Sequence, residues 1–350
     1  MGTVEQLRVI NSGEANRAEN QSGMVEHRRS SVSVVDKGAP SGVRIIPVAE
    51  CFPPKEKEKK GLPILIAPGF TEGIETLELN LEHLAERGLH ALTFDAPQGI
   101  SREGEFPIEL ANLGEMALHE YETKKALALL EVVEQKKIEG KIDAIGHSEG
   151  CIYLVLAALA RPEKFRTLLL VNPGGMVGQD TFFSLISRAY DHVKQERRVA
   201  QQDPVILKRL KKGKFERRLN LAASLVEGAT SPRAVACTQI EELLVILKKK
   251  GVHIVIAHSV DDLIFPMDRV QEISAKMAKK QDTHSGKDEE VEEGTYLDGF
   301  YSIRGGHNDF FLNPEDHAIL ADHTFSAIEA KEARTSGDGL VSGDIIRKAA

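Results

Sequence analysis

Ser148 stands between two glycines in the segment GHSEG, directly after the apolar run IDAI. A serine hydroxyl attacks a carbonyl carbon only when a neighbouring base takes its proton, and that base needs a carboxylate to orient it. Gly146 and Gly150 fit a sharp turn between a strand and a helix, because such a turn leaves no room for side chains two positions from the serine. The segment therefore predicts a nucleophile at a strand end.

Two later segments contain the residue types that Ser148 would need. Asp261 and Asp262 follow the apolar run VHIVIAH, and His307 follows two glycines after YLDGFYSI. The chain order is serine, aspartate, histidine, which differs from the orders of the chymotrypsin and subtilisin arrangements. We predict that His307 is the base and that one of the two aspartates orients it. The helix after Ser148 would place the N–H of Glu149 at its N-terminus, where it can donate to an oxyanion.

Strand and helix patterns alternate along the chain. Near-continuous apolar runs indicate strands that are buried on both faces, at LPILIA, LHALTFD, KIDAIGH, RTLLLVN, VHIVIAH and, more weakly, YLDGFYSI. Helical patterns separate them, at TLELNLEHLAERG, EMALHEYETKKALALLEVVEQKK and EGCIYLVLAALARPEKF. SVSVVD and VRIIPVAE flank a turn-rich segment and predict a β-hairpin. The alternation predicts an α/β fold with a doubly wound, mostly parallel sheet and ligand sites at the carboxyl ends of its strands.

Several stretches interrupt this alternation. Residues 176–235 contain helical patterns without a clear strand, which predicts a helical cap inserted between two parts of the core, 31–175 and 236–335. Polar segments are predicted to lie outside the packed core: a flexible N-terminal extension at 1–30, an acidic exposed loop at 279–294 and a C-terminal tail at 336–350.

Composition narrows the class of partner. A chain of 350 residues that is 41% hydrophobic predicts a globular protein with a large core. The net charge of -8 gives no reason to expect binding to nucleic acid or to an anionic membrane. No signal peptide or membrane span is visible, and the three cysteines have no metal-ligand spacing, which favours a cytoplasmic protein without disulfides. We expect a small-molecule substrate and no cofactor; composition does not predict the oligomeric state.

A metal site is the alternative interpretation of the polar strand ends. It would be formed by residues near the ends of the last two strands, namely His253, His258, Asp261, Asp262, His307 and Asp309. No His-x-x-x-His or cysteine pair anchors such a site, and two of these residues would have to leave their expected faces. We therefore predict no metal ion.

Three segments of the chain resemble the catalytic segments of the α/β-hydrolase superfamily: GHSEG, HSVDDLIFP and GGHNDFF. The resemblance covers roughly residues 40 to 335. PILIAPGFTEG resembles the HGF-T-G loop of its esterases and lipases, which implies that the N–H of Phe70 is the second oxyanion donor, although Pro68 replaces the usual histidine. In members of this superfamily, the catalytic aspartate is often followed by three residues and then by a proline. The position of Pro266 thus implies that Asp262 orients the histidine and that Asp261 is a surface or capping acid.

FDAPQGIS resembles the turn after the fourth strand of the same superfamily, with Asp95, Gly99 and Ser101 matching. The family's arginine and one of its glycines are missing, and we predict a structural role for this turn. The basic run LKRLKKGKFERR in the cap fits a solvated helix face, with guidance of an anionic substrate or contact with a membrane as alternatives.

The resemblance implies a serine hydrolase that cleaves a carboxylic ester through an acyl-enzyme. A thioesterase, an amidase, an acyltransferase and a carbon–carbon bond hydrolase of the same fold share these residues, and some members of the fold are non-catalytic binding proteins. We predict a largely apolar pocket for the acyl or aromatic group of the substrate. Its lining is predicted to be Met176, Phe182, Phe183, Leu263, Phe265 and Phe311.

Overall fold

The computed structural model describes residues 24–35, 41–97, 120–178, 180–226, 230–279 and 296–337. Strand β1 begins at Glu26, so residues 26–30 of the segment predicted to be a flexible extension form part of a strand. The reason is that β1 is an edge strand: Val32 and Val34 are buried, whereas its polar residues are exposed and leave little apolar signal in the sequence.

The described strands form one sheet of eight in the order β1-β2-β4-β3-β5-β6-β7-β8. Their bounds are β1 Glu26–Val35, β2 Val43–Phe52, β3 Ile64–Ala67, β4 Ala91–Phe94, β5 Ile142–His147, β6 Phe165–Val171, β7 His253–Ser259 and β8 Gly299–Ile303. β1 and β2 form the predicted antiparallel hairpin. β2 also pairs antiparallel with β4, and β3 to β8 run parallel to one another. The predicted mostly parallel sheet is confirmed.

Helices cover both faces of the sheet. The core helices are α1 Ile74–Glu86, α2 Glu120–Gln135, α3 Gly150–Ala160, α8 Glu241–Lys249, α9 Met267–Lys279, α10 Asp309–Leu312 and α11 Pro314–Gly337. α2, α3 and α8 contribute to the apolar cluster on one face, and α1 and α11 contribute to the cluster on the other. All eleven residues of α3 are buried, which explains its uninterrupted apolar sequence. Among the described helices, none combines the length and apolarity that a bilayer-spanning segment needs.

Between β6 and α8 the described residues form helices and no strand. These helices are α4 Phe182–Gln202, α5 Pro204–Lys211, α6 Lys214–Val226 and α7 Thr230–Cys237. They occupy the stretch predicted to be a helical cap. α4 is amphipathic: Leu185, His192 and Ala200 are buried along one side, whereas Tyr190 is exposed.

The register of the parallel strands brings their carboxyl ends to one edge of the sheet. The last pairs of each ladder are Ala67 with Gly146, His147 with Val171, Val171 with Ala257, and Ser259 with Ile303. Residues that directly follow β3, β5, β6, β7 and β8 therefore lie close together. This edge is where a doubly wound sheet places its ligand sites.

Candidate active site

Ser148 lies in a strained turn between β5 and α3. Its φ is 54°, in the left-handed region that a residue with a side chain rarely adopts. A Cβ added at Gly150 would lie 2.2 Å from the carbonyl oxygen of Ala67, and one added at Gly146 would lie 2.8 Å from Cα of Cys151. The two glycines are therefore required by close packing of the turn against β3 and α3.

The side chains of Ser148, His307 and Asp262 form a continuous hydrogen-bonded chain. Nε2 of His307 lies 2.9 Å from Oγ of Ser148, and Nδ1 lies 2.8 Å from Oδ2 of Asp262. Asp262 accepts a hydrogen bond from the Nδ1–H group, which leaves Nε2 unprotonated and able to accept the serine hydroxyl proton. This arrangement can deprotonate Ser148 as it attacks an electrophile.

Asp262, rather than Asp261, meets His307. Oδ1 of Asp262 accepts the backbone N–H groups of Ile264 at 2.8 Å and Phe265 at 3.0 Å. Burial alone would raise the pKa of Asp262, but the charge and hydrogen bond of His307 outweigh it and hold that pKa below its ordinary value. Asp261 is exposed. The loop thus keeps an ionised carboxylate against the imidazole.

Two buried side chains hold the backbone of His307. Nδ2 of Asn172 donates to the His307 carbonyl at 2.8 Å, and Nε2 of His147 donates to the same oxygen at 3.0 Å. Oδ1 of Asn172 in turn accepts the N–H of Ser259 at 2.7 Å. Asn172 is not among the predicted site residues, although its position as a polar residue at the end of the apolar run LLLV is a signal that could have indicated it.

His147 forms a second histidine–carboxylate pair with Glu72. Nδ1 of His147 lies 2.7 Å from Oε1 of Glu72, and Oε2 of Glu72 accepts the N–H of Gly69 at 2.7 Å. Burial lowers the pKa of His147, but the Glu72 charge and the hydrogen bonds to both ring nitrogens outweigh it and raise the pKa above its ordinary value. Both ring nitrogens face acceptors, so His147 is favoured as an imidazolium.

The two predicted oxyanion donors belong to the loop after β3 and to the serine turn at the start of α3. Phe70 follows β3 and precedes Thr71, whose φ of 66° is also in the left-handed region. The loop approaches the serine turn closely, because a Cβ added at Gly69 would lie 3.0 Å from the His147 carbonyl oxygen. Glu149 begins α3, and its buried carboxylate lies 2.7 Å from Nζ of Lys125. The helix N-terminus directs backbone N–H groups toward the serine side of the turn.

Three of the residues predicted to line an apolar pocket are buried. Phe265 packs edge-on against His307 with ring centroids 5.1 Å apart, and Met176 and Phe311 are buried. Phe183 and Leu263 are 82% and 38% exposed, so neither belongs to the buried apolar surroundings of His307, and their place in a substrate pocket stays a prediction. Neighbouring residues of a helix point about 100° apart, so Phe183 cannot share the inward direction of half-buried Phe182. Leu263 follows Asp262 directly, in the turn whose backbone N–H groups bind the Asp262 carboxylate. Its side chain lies at the protein surface, whereas that carboxylate is buried.

The residues of the alternative metal site do not all converge. Oδ2 of Asp262 lies 2.8 Å from Nδ1 of His307 and 4.0 Å from Nε2 of His258, but His253 lies at the other end of its strand. Nδ1 of His253 lies 3.0 Å from Asp298 at the start of β7, whereas His258, near the other end of that strand, donates from Nε2 to the carbonyl oxygen of Phe265 at 2.8 Å. In the part of the chain that the structure describes, the acidic and histidine side chains close enough to share an ion are His27, Glu78 and Glu82, on β1 and α1.

Carboxylates also cap the N-terminus of α1. Oδ1 of Asp95 accepts the N–H of Ile74 at 2.8 Å, which fits the structural role predicted for its turn; Gly99 and Ser101 lie outside the described residues. Glu216, on cap helix α6, accepts the N–H of Glu75 at 3.0 Å and that of Thr76 at 3.1 Å. Cap and core are therefore joined directly at this helix end.

The architecture matches solved hydrolase structures. The chain is 15% identical to an esterase from Thermogutta terrifontis, with 85% of this chain and 99% of that one covered and a TM-score of 0.52. It is 15% identical to a serine hydrolase from Cycloclasticus zankles, with coverage of 86% and 99% and a TM-score of 0.54. It is 12% identical to a bromoperoxidase from Bacillus anthracis, with coverage of 85% and 100% and a TM-score of 0.55.

No protein-family model and no curated protein matches the sequence. The structural likeness at these identities defines the fold. The chain has the α/β-hydrolase fold, with a helical segment inserted after β6.

Proposed function

We propose that the chain is a serine hydrolase that cleaves a carboxylic ester of a small molecule, with Ser148 as nucleophile, His307 as general base and Asp262 as the orienting acid. The hydrogen-bonded chain from Ser148 Oγ through both nitrogens of His307 to Asp262 carries this proposal. It lies at the carboxyl edge of a fold shared with an esterase and a serine hydrolase. The strained φ of Ser148 supports it, since strain of this kind is concentrated at functional sites.

In the proposed reaction, Nε2 of His307 takes the Ser148 proton as Oγ bonds to the ester carbon, and the carbonyl π electrons move onto its oxygen. The N–H groups of Phe70 and Glu149 stabilise that oxyanion. When the oxyanion collapses, the bond to the alcohol oxygen breaks and His307 donates the proton to it. Water then attacks the acyl carbon while His307 takes its proton. When the second oxyanion collapses, the bond between the acyl carbon and Oγ breaks, the carboxylic acid leaves and His307 returns the proton to Ser148.

A fluorophosphonate probe tests the nucleophile. The probe phosphonylates an activated serine, so mass spectrometry should find a single adduct on Ser148 in the wild type and none there in Ser148→Ala. Ser184, an exposed serine of the cap, provides the control: Ser184→Ala should be labelled like the wild type. Absence of the Ser148 adduct would favour a non-catalytic binding protein.

The acyl bond is tested with a substrate panel. Esters, thioesters and amides with the same acyl group should be compared by kcat/KM, together with an alcohol as competing acceptor. We expect the ester to be cleaved fastest and water to be the acceptor. A faster thioester, or transfer to the alcohol in place of hydrolysis, would replace the ester hydrolase by the corresponding member of the same fold.

A further inference from the structure

The cap places a buried histidine beside the proposed catalytic histidine. His192 lies on α4, and its side chain is only 4% exposed. Its ring centroid is 5.8 Å from that of His307, with the two rings nearly perpendicular. Cε1 of His192 also lies 3.3 Å from the point at which a side chain on Gly306 would begin, so the imidazole packs directly against the backbone that precedes His307.

Neither ring nitrogen of His192 has a hydrogen-bond partner among the described residues. The nearby carboxylate of Glu196 does not supply one, because Oε1 of Glu196 lies 3.8 Å from Nε2 of His192 and instead accepts Nδ2 of Asn308 at 2.7 Å. Burial, reinforced by the charge of His307, lowers the pKa of His192 to about 4. At neutral pH the ring therefore offers one donor and one acceptor, both directed into the protein interior and unused.

The surroundings of His192 are polar. Burial raises the pKa of Glu196, although its hydrogen bond with Asn308 opposes that shift. Arg217, on α6, stacks over the Phe311 ring at 5.1 Å and donates to the carbonyl oxygen of Leu210 at 2.6 Å. The positive charge of Arg217 also opposes the rise in the pKa of Glu196 that burial causes. The cap therefore brings an imidazole, a carboxylate and a guanidinium toward the site instead of a continuous apolar surface.

The mechanism decides which part of a substrate would meet this face. Nε2 of His307 must protonate the departing alcohol oxygen, so that oxygen lies beside His307 while the carbonyl oxygen points to Phe70 and Glu149. The group attached to the departing oxygen is consequently the part nearest to the cap side chain that packs against His307.

We propose that His192 hydrogen-bonds the alcohol portion of the substrate, and that the preferred esters carry a hydroxyl group on that portion. This proposal rests on the proposed ester hydrolysis and names its substrate class. A neutral imidazole is matched to a hydroxyl, because a hydroxyl can accept a hydrogen bond from the ring N–H or donate one to the unprotonated nitrogen, whichever of the two faces the substrate. An alkyl alcohol would leave both ring nitrogens buried without partners.

The test uses two butyrate esters with a three-carbon alcohol, 1-butyryl glycerol and propyl butyrate, which differ in the two hydroxyl groups. Calorimetric titration of Ser148→Ala measures binding without turnover. We expect 1-butyryl glycerol to bind about tenfold tighter than propyl butyrate, the factor that one hydrogen bond of about 1.4 kcal/mol supplies. In Ser148→Ala combined with His192→Phe, a ring of similar size, the two dissociation constants should become equal.

Tyr190→Phe is the matched control, because Tyr190 lies on the same helix and is 63% exposed. It should keep the preference for the glycerol ester in the same background. Equal binding of both esters to Ser148→Ala, or a preference that persists in His192→Phe, would overturn the proposal. A second readout is the ratio of kcat/KM for the two esters in otherwise wild-type protein, which should fall about tenfold in His192→Phe.

The two proposals fail in different ways. If the fluorophosphonate probe does not label Ser148 but the binding preference depends on His192, the hydrolase is refuted and the hydroxyl-binding site stands. If Ser148 is labelled and both esters bind equally, the hydrolase stands and the role of His192 is refuted.

Discussion

Oε1 of Glu72 lies 2.7 Å from Nδ1 of His147, so the residue before the serine is paired with a residue of the loop after β3. The second oxygen of Glu72 accepts the Gly69 N–H, and the second nitrogen of His147 donates to the His307 carbonyl. One buried pair thus connects the loop that carries Phe70, the turn that carries Ser148 and the backbone of His307. The structure places no part of this pair in direct contact with the Ser148 hydroxyl.

Replacing Glu72 by glutamine should lower activity without removing the nucleophile. Glutamine has one acceptor oxygen, so either the Gly69 N–H or the His147 N–H would face an NH₂ group. A buried donor without a partner costs about 1–3 kcal/mol, and we expect kcat on an ester to fall by about ten- to a hundredfold with a smaller change in KM. Glu75→Gln, an exposed change on the first turn of α1, is the control. Wild-type kcat in Glu72→Gln would contradict the positioning role.

The same pair predicts a pH dependence of stability. The folded-state pKa of His147 lies above its ordinary value of 6.5, so the native state binds this proton more tightly than the unfolded chain does. Its contribution is fully present below pH 6.5 and is lost as the pH rises through the folded-state pKa. The difference in unfolding free energy between wild type and His147→Gln, measured in urea from pH 6 to 9, should therefore shrink as the pH rises. A constant difference would show that His147 is not charged in the fold.

The adjacent aspartates give a direct comparison. Asp262→Asn should lower kcat by roughly 10³–10⁴-fold, because the amide cannot hold His307 in the tautomer that accepts the Ser148 proton. Asp261→Asn should stay within a factor of a few of wild type, since Asp261 is exposed and touches the site only through its backbone. Hydrolysis of p-nitrophenyl acetate by both variants decides the assignment, and a larger loss in Asp261→Asn would reverse it.

Gly150→Ala should prevent correct folding of the serine turn. The new methyl group would lie 2.2 Å from the Ala67 carbonyl oxygen, a backbone atom that cannot move without displacing β3. Gly61→Ala is the matched control, because its methyl group would lie 3.8 Å from the nearest atom, a side-chain carbon of Leu89. We expect normal soluble expression of Gly61→Ala and a lowered melting temperature or aggregation of Gly150→Ala. Equal melting temperatures would mean that the serine turn has room for a methyl group beside the Ala67 carbonyl oxygen.

His192 predicts sensitivity to acid. Its folded-state pKa of about 4 lies below its ordinary value of 6.5, so the unfolded chain binds this proton more readily and stability falls as the pH drops from 6.5 toward 4. The expected loss between pH 7 and pH 5 is about 2 kcal/mol from this residue. His192→Phe should lose correspondingly less stability over that interval in urea titrations. Parallel curves for the two proteins would indicate that the ring is solvated.

The site residues that could be predicted from the sequence are those that directly follow strands. Ser148, Asp262 and His307 each come after an apolar run with turn-forming neighbours, so local pattern alone positions them at the carboxyl edge of the sheet. The strand order, in which β4 lies between β2 and β3, depends on how separate segments pair and has no such local signal.

The residues that the sequence missed acquire their roles through distant partners. Glu72 and His147 are 75 positions apart, and nothing near either residue indicates the other. His192 follows an ordinary helical pattern, and only the packing of α4 on the core turns its ring toward His307. Phe183 was assigned by residue type, whereas the helix direction at that point sends it into solvent.

The carboxylate that Glu216 contributes to the first turn of α1 makes the inserted helices and the sheet parts of a single hydrogen-bonding unit. A chimera that exchanged residues 176–235 for the corresponding insertion of another protein of this fold would leave the amides of Glu75 and Thr76 without acceptors, a few residues from the loop that contains Phe70. Transplanting specificity between members of this fold would therefore require the donor segment to bring its own acid for that helix end, whatever the shape of its pocket.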